Sequence, residues 1–422
     1  LESLPADVVV VGLGPAGLAA VVRAAESEAR VVAVDEGAAA GGQIWRDHVA
    51  KPRRSPRLAR QWRTRLGQLP KDACRILTRS SVVDAPAPGV LVAAGESGVV
   101  RVEASRIVMA TGARELFLPF PGWTRPGVVG VGGAQALVKS GASVGGRRAL
   151  VAGSGPLLLP VAATLAHAGA RVVAVLEQAP RARLVGFARG LGPRKLLEAA
   201  RYRLSFATAP YRTGAWITAV DGPGERVEVA TVTDGQRTWT ERCDLVASAY
   251  GLVPNLELPR LLGCRIEDGA VAVDEVQLTS VPDVFAAGEL TGIGGAEKAL
   301  LEGEIAGLAA ADRRAEALAL RERRDALLAF ARRLREAFAL RPELRALATP
   351  ATIACRCEDV AFDRLRPQWT PRQAKLYTRA GMGPCQGRVC GAAFEFLFGW
   401  PPDTVRPPLI PVTLEALKEA DS

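Results

Sequence analysis

Twice in this chain an apolar run meets a glycine turn, then an apolar-periodic stretch, then a second apolar run closed by an acid. The first copy is "ADVVVV" (6–11), "GLGPAG" (12–17), "LAAVVRAA" and "ARVVAVDE". The second is "RRALVAGSGPLLLPVAATLAHAGARVVAVLE", Arg147 to Glu177. Each parses as strand, turn, helix, strand, the βαβ unit of a nucleotide fold. The repeat restricts the chain to an α/β architecture with two dinucleotide-binding folds.

In the first copy Gly12 permits the tight turn, Gly14 lets the backbone approach a pyrophosphate, and Gly17 lets helix and strand pack closely. Pro15 and Ala16 complete the loop, and the helix start offers free N–H groups to phosphate. Asp35 ends the second strand, where a carboxylate can accept from ribose hydroxyls. Glu36 stands beside it, and spacing alone does not separate the two. The second copy keeps Gly153 and Gly155 but has Leu158 at the third position, a bulk expected to push helix and strand apart. Its acid has slipped: the spacing that selects Asp35 selects Leu176, with Glu177 one later. One step along a strand flips a side chain to the other face. These marks leave open whether the second site takes NAD(P), ATP or nothing.

The chain has 422 residues, 49% hydrophobic and 23% charged, enough for several globular domains. Net charge is +10, but the basic residues are dispersed and no nucleic-acid-binding motif accompanies them. The run Ala149–Ala170 is long and uncharged, yet its glycines and prolines make it strand, turn and helix rather than a membrane span. The first glycine loop comes too early for a leader peptide, so a cytoplasmic location with reduced thiols is expected. Two histidines leave no material for a Ser-His-acid or metal-His site. His48 follows the "GGQIWR" loop and is placed near the first nucleotide. Cys74, Cys243 and Cys264 are isolated and read as packing residues.

The other four cysteines are not isolated. Cys355 and Cys357 form C-x-C in "IACRCEDV", and Cys385 and Cys390 form C-x4-C in "GMGPCQGRVC". Four thiolates suit a [2Fe–2S] cluster or a structural zinc. Zinc pairs more often use C-x2-C spacing. The C-x-C and C-x4-C spacings therefore make the cluster the expected group. Gly381, Gly383 and Gly387 fit a loop that bends around an inorganic core, and Arg356 and Arg388 would raise its potential.

"MATGA" (109–113) and "DVFAAGE" (283–289) resemble the paired signatures of the two-dinucleotide-domain flavoproteins of glutathione-reductase and thioredoxin-reductase type. "GGQIWR" (41–46) resembles the loop after that family's second strand. This resemblance implies FAD at the first site, held also by Gly42, Gln43, Arg46, Ala110, Thr111, Gly112, Gly288, Glu289 and Gly295. The family usually has Asp where this chain has Glu289. Its disulfide reductases carry a redox cysteine pair beside the flavin, which is missing here. With "ATGARE", "FPGWTRPGV", "YGLVPN" and "GIGGAEKALLEGEIAG" in order, and the cysteine tail, nearly the whole chain resembles the FAD-containing subunit of bacterial heteromeric dehydrogenases. That group includes octopine and nopaline dehydrogenases, hydrogen cyanide synthase, and D-hydroxyproline and dye-linked proline dehydrogenases.

The resemblance implies an electron-transfer subunit that works beside a D-amino-acid-oxidase-like flavoprotein subunit, which oxidises an amino acid, imino acid or opine. Electrons would leave through FAD and the cluster to a quinone or respiratory acceptor, with the chain soluble or peripheral at the inner membrane face. It leaves open a small third subunit and an FMN at the subunit junction. The other readings are a stand-alone NAD(P)H-dependent reductase and a scaffold with structural ATP at the second site. The motif order divides the chain into a split FAD domain (1–118 and 266–310), an inserted second nucleotide domain (119–265), a helical linker (311–348) and a cluster domain (349–422) related to the bacterioferritin-associated ferredoxin.

Overall fold

A computed structural model describes residues 2–46, 56–96, 98–402 and 404–420. His48 lies outside the described residues. The chain forms two compact units. The first comprises residues 1–114, 253–332 and 404–422, the second 115–252 and 333–403.

The first unit opens with β1 (Glu2–Val11), α1 (Pro15–Glu26), β2 (Val31–Val34), α2 (Arg57–Gln68), β3 (Cys74–Leu77), β4 (Ser80–Ala87), β5 (Val90–Gly95) and β6 (Gly98–Met109). Short β7 (Ala113–Glu115) lies where the first unit gives way to the second. The strands run in the order β3-β2-β1-β6-β5-β4, and Val284–Ala286 adds on β6. β1 lies parallel to β2 and β6, and Val284–Ala286 is parallel to β6. Val8 to Val11 are all buried, because a central parallel strand is covered on both faces and favours an unbroken β-branched run. One face packs on α1, the other on Leu91, Val102 and Leu256. Strand order reverses beside β1, so the carboxyl ends of β1, β6 and Val284–Ala286 border the crevice where such sheets bind ligands.

The second unit holds β8 (Val128–Val129), α3 (Val131–Lys139), β9 (Arg148–Gly153), α4 (Leu158–His167), β10 (Arg171–Glu177), α5 (Arg181–Arg189), α6 (Pro193–Ser205) and β11 (Tyr211–Thr213). An antiparallel trio follows, β12 (Trp216–Asp221), β13 (Val229–Thr233) and β14 (Thr238–Arg242), and then β15 (Leu245–Ala249). The parallel sheet runs β11-β10-β9-β15-β8.

The chain returns to the first unit with α7 (Glu257–Leu261), α8 (Ala296–Ala310) and α9 (Arg314–Leu318). Then α10 (Arg321–Ala337) leads into the tail, which carries α11 (Pro371–Thr378) and α12 (Cys390–Phe398). A capping box between Thr370 and Gln373 starts α11. The tail builds its own small core from Cys355, Val360, Leu365, Cys390, Phe394 and Trp400. Among the described residues no helix is long and apolar enough to cross a membrane, and Ala149–Ala170 folds as β9, turn and α4.

Candidate functional site

In the first unit β1 ends at Val11, and Gly12 turns the chain with φ +93°. A side chain at Gly12 would meet the Ala110 carbonyl, and one at Gly17 would collide with Gly12 O. Helix α1 starts immediately, with Gly14 as N-cap, Pro15 at its first position and no side-chain cap over its first N–H groups. Asp35 is buried, and its carboxylate accepts from the backbone N–H of Leu13 and from that of Gly37 (2.7 Å). Glu36 is exposed, so the two acids part company: Asp35 faces the glycine turn.

The other sequence-predicted residues of this site gather around that turn. Gly41 donates to Leu13 O (2.7 Å), and Gly42 comes so near that a Cβ would lie 2.8 Å from Gly14 Cα. Gln43 and Arg46 are exposed on the same loop. Ala110 donates to Val11 O, Thr111 and Gly112 follow, and Gly288, at φ +83°, abuts Ala16. Gly14, Gly112 and Gly295 each face open space where a Cβ would stand. That backbone-lined cradle fits a dinucleotide. Glu289 points its carboxylate at the N–H groups of Gly294 (2.9 Å) and Gly295 (2.8 Å), closing the loop before α8. Burial raises its pKa, and these N–H groups counter that.

Three supports escaped the sequence. Arg63, on α2, donates to the carbonyls of Ala40 and Trp45 and so fixes the Gly41–Arg46 loop. Asn255 clasps the Thr-Gly turn: Nδ2 donates to Thr111 O (2.7 Å) and its backbone N–H to Gly112 O (3.0 Å). Under the Gly288 turn, Lys298 and Glu302 form a fully buried ion pair of 2.7 Å. Lys298 Nζ also donates to Gly288 O and Thr291 Oγ1, and Glu302 accepts from Gly288 N–H and Thr291 Oγ1. A basic and an acidic residue four apart on a helix ordinarily read as a surface pair, so only burial reveals this one.

The second unit repeats the first turn with two corrections. Glu177 is not flipped away. A bulge in β10 between Val172 and Ala174 absorbs the extra residue and sets Glu177 opposite Gly153. Its carboxylate accepts from Gly155 (2.8 Å) and Ala179 (2.9 Å), as Asp35 does from Leu13 and Gly37. Burial pushes its pKa up to about 7. Leu158 does not wedge helix from strand either. It begins α4 and packs in the core, so the helix starts two residues later relative to its glycines than α1 does.

In the tail the four cysteines approach in two pairs. Cys390 is in hydrogen-bonding contact with Cys355, and Cys357 with Cys385. Contact with Cys390 pulls Cys355 down to about 6, aided by N–H groups of Gly381, Cys357 and Glu358, and the same contact pushes Cys390 up. The Gly381 N–H lies 3.4 Å from Cys355 Sγ. Gly383 lies so close to Cys357 that any side chain there would strike its Cβ. No trio of His, Cys, Asp or Glu side chains among the described residues is arranged to hold an ion. Arg356 lies over the Trp123 ring and Arg388 donates to Gln386. Burial pushes Cys74 to about 11 and Cys243 to about 12, as suits packing residues.

The profile of the pyridine nucleotide-disulphide oxidoreductase family matches residues 6–304. The chain belongs to that family. Within it, an opine oxidase subunit of Rhizobium meliloti is 33% identical across 97% of both chains. The HcnB subunit of hydrogen cyanide synthase from Pseudomonas aeruginosa is 33% identical across 90% of both. The crystal structure of L-proline dehydrogenase from P. horikoshii superposes with a TM-score of 0.69, covering 99% of this chain and 80% of that one at 20% identity. The chain is thus an oxidoreductase of the pyridine nucleotide-disulphide type, in the subunit group of the first two relatives, and its fold is the two-dinucleotide-domain flavoprotein fold. The family and its flavoprotein neighbours support FAD as a cofactor.

Proposed function

We propose that this chain is the electron-carrying subunit of a flavin-dependent, multi-subunit dehydrogenase acting on an amino acid, imino acid or opine. The observation that carries the reading is one chain with an open glycine cradle in its first unit and two thiol pairs in its second. The names of its relatives, subunits of opine oxidase and hydrogen cyanide synthase, agree with it.

FAD supplies two-electron acceptance, and an iron–sulfur cluster passes electrons singly. The chain's residues bind and orient. Gly12 to Gly17 and α1 offer backbone N–H groups to the pyrophosphate, and Asp35 offers acceptors to a ribose. The Gly41–Arg46 loop, the Ala110–Gly112 turn and the Gly288–Gly295 loop enclose the rest. Cys355, Cys357, Cys385 and Cys390 would hold iron, with the Gly381 N–H directed at one sulfur. Scarce acid–base residues agree with substrate oxidation in a partner that resembles D-amino-acid oxidase. The acceptor would be a quinone or respiratory carrier, and the protein works in the cytoplasm or at the inner membrane face. An FMN at the subunit junction is tested by releasing the flavins from the purified complex and separating FMN from FAD by chromatography.

The test is purification of the chain with its co-eluting partners, followed by a visible spectrum and an iron and sulfide assay. Flavin bands with about two irons and two sulfides per chain are expected. Cys385→Ser should abolish iron and acceptor reduction while flavin stays bound. Flavin without iron in the wild type would remove the cluster. Amino-acid oxidation by this chain alone would remove its assignment to a multi-subunit enzyme.

The second reading, an NAD(P)H-fed reductase, is favoured by one observation: Glu177 stands opposite Gly153 as Asp35 stands at Gly12.

A further inference from the structure

A segment distant in sequence covers the turn of the second nucleotide fold. The segment that follows α10, Phe338 to Arg341, lies on its glycine turn and on the end of β10. Ser154, between the two turn glycines, donates through Oγ to Phe338 O (3.0 Å). Gln178, the residue after Glu177, donates to Ser154 Oγ (2.9 Å) and to the carbonyls of Phe338 (3.5 Å) and Ala339 (3.4 Å). Its amide oxygen accepts the Arg341 N–H (3.2 Å). From α5, Arg183 donates to Ala339 O (3.2 Å). Side chains anchor both ends: Phe338 packs edge-on against Phe187, and Arg341 stacks over Trp216 and donates to Gly214 O.

In a dinucleotide fold the glycine turn faces the pyrophosphate, and the residues ending the second strand face the adenosine ribose. Ser154 lies in that turn and Gln178 directly follows Glu177 at the strand end, and both are buried and turned toward main-chain carbonyls of 338–339. Glu177 is fully buried, and its carboxylate is bound to Gly155 and Ala179. A nucleotide there would compete with an intramolecular ligand, and its apparent affinity falls by the fraction of time the segment is away.

We infer that Phe338–Arg341 is a specificity-determining plug that fills the adenosine side of the second nucleotide fold and denies NAD(P)H entry. The fold has the acid and the turn for a nicotinamide nucleotide, and the chain's own backbone takes their place. Electrons therefore enter this protein from a source other than nicotinamide. The plug goes beyond the electron-carrier reading and is independent of it, since it concerns only which donor is shut out.

The test uses the purified holoprotein with its partners. Calorimetric titration with NADH, NADPH and ATP is run on the wild type and on two variants. One combines Phe338→Ala with Arg341→Ala. The other replaces the segment by Phe338→Gly, Ala339→Ser, Leu340→Gly and Arg341→Gly, which removes the segment's own side-chain anchors and loosens its backbone. Hydrogen exchange over 336–344 reports release. The expected result is no saturable binding to the wild type and, once exchange shows the segment free, at least about tenfold tighter binding of one of the three. The proposal is overturned if the wild type binds any of them as tightly as the freed variants. It is equally overturned if a freed variant gains nothing. Substrate-driven reduction of the acceptor is followed in parallel. If wild-type NADH binding appears while only the partner's substrate reduces the flavin, the plug fails and the electron-carrier reading stands.

Discussion

A carboxyl sealed from solvent makes stability depend on pH, and Glu177 is such a group. Burial lifts its pKa from an ordinary 4.5 to about 7, so between those values the folded chain binds more protons than the unfolded one. Stability from this group is complete below pH 4.5 and is lost as pH rises through 7, by roughly 3 kcal/mol. Glu177→Gln should flatten that fall, read as a smaller difference in urea midpoint between pH 5 and pH 8 than in the wild type. Lys298 and Glu302 are paired with each other inside the protein. Lys298→Met leaves a buried carboxylate without its cation, which ordinarily costs about 3–5 kcal/mol. The companion Glu302→Leu in the same chain should recover most of that. Chemical denaturation measures the first effect, and flavin dissociation measures whether the Gly288 turn moves with it. The glycines and Asp35 were legible because their backbone and spacing requirements are local. The buried pair and Arg63 were not, because nothing in a helical sequence says which of its charges face inward.

Helices α1 and α8 approach backbone to backbone at Gly303 and Gly307. A Cβ at Gly303 would collide with Ala16 O, and one at Gly307 with Ala20 O. The same helix faces therefore hold the Gly12–Gly17 turn and the Gly288 loop at a fixed distance. Gly303→Ala should push α8 off α1 at a cost of about 1–3 kcal/mol and weaken flavin retention during gel filtration, whereas alanine at exposed Gly186 should do neither. At this scale the sequence erred twice, and both errors are informative. Counting residues from Gly153 put Leu176 where the acid belongs, because counting assumes an unbroken strand. The bulge between Val172 and Ala174 breaks that assumption, and "RVVAVLE" carries no residue that announces one. The Leu158 expectation failed similarly, since delaying the start of α4 makes room for it.

The chain crosses from one unit to the other four times, near residues 114, 252, 332 and 403. The order of motifs implies one nucleotide fold inserted into another, but not the last return, because residues 404–420 carry no motif. Leu409 nonetheless donates its N–H to Val83 O (2.8 Å) and is buried in the first unit's core with Val82 and Leu91. Ending the chain after residue 403 should therefore destabilise the flavin unit, not merely shorten the cysteine tail. Losing one buried leucine is worth about 1.5–3 kcal/mol, a fall of several degrees in the flavin-release temperature. Trp123 ties the tail to the second unit through its Nε1 donor on Ile353 O (2.6 Å). A ribosome making this protein must translate past residue 409 before the first sheet can receive that buried leucine. The strands before residue 110 cannot finish packing as they emerge, and their cofactor cradle closes only when the later segments of the first unit have joined them.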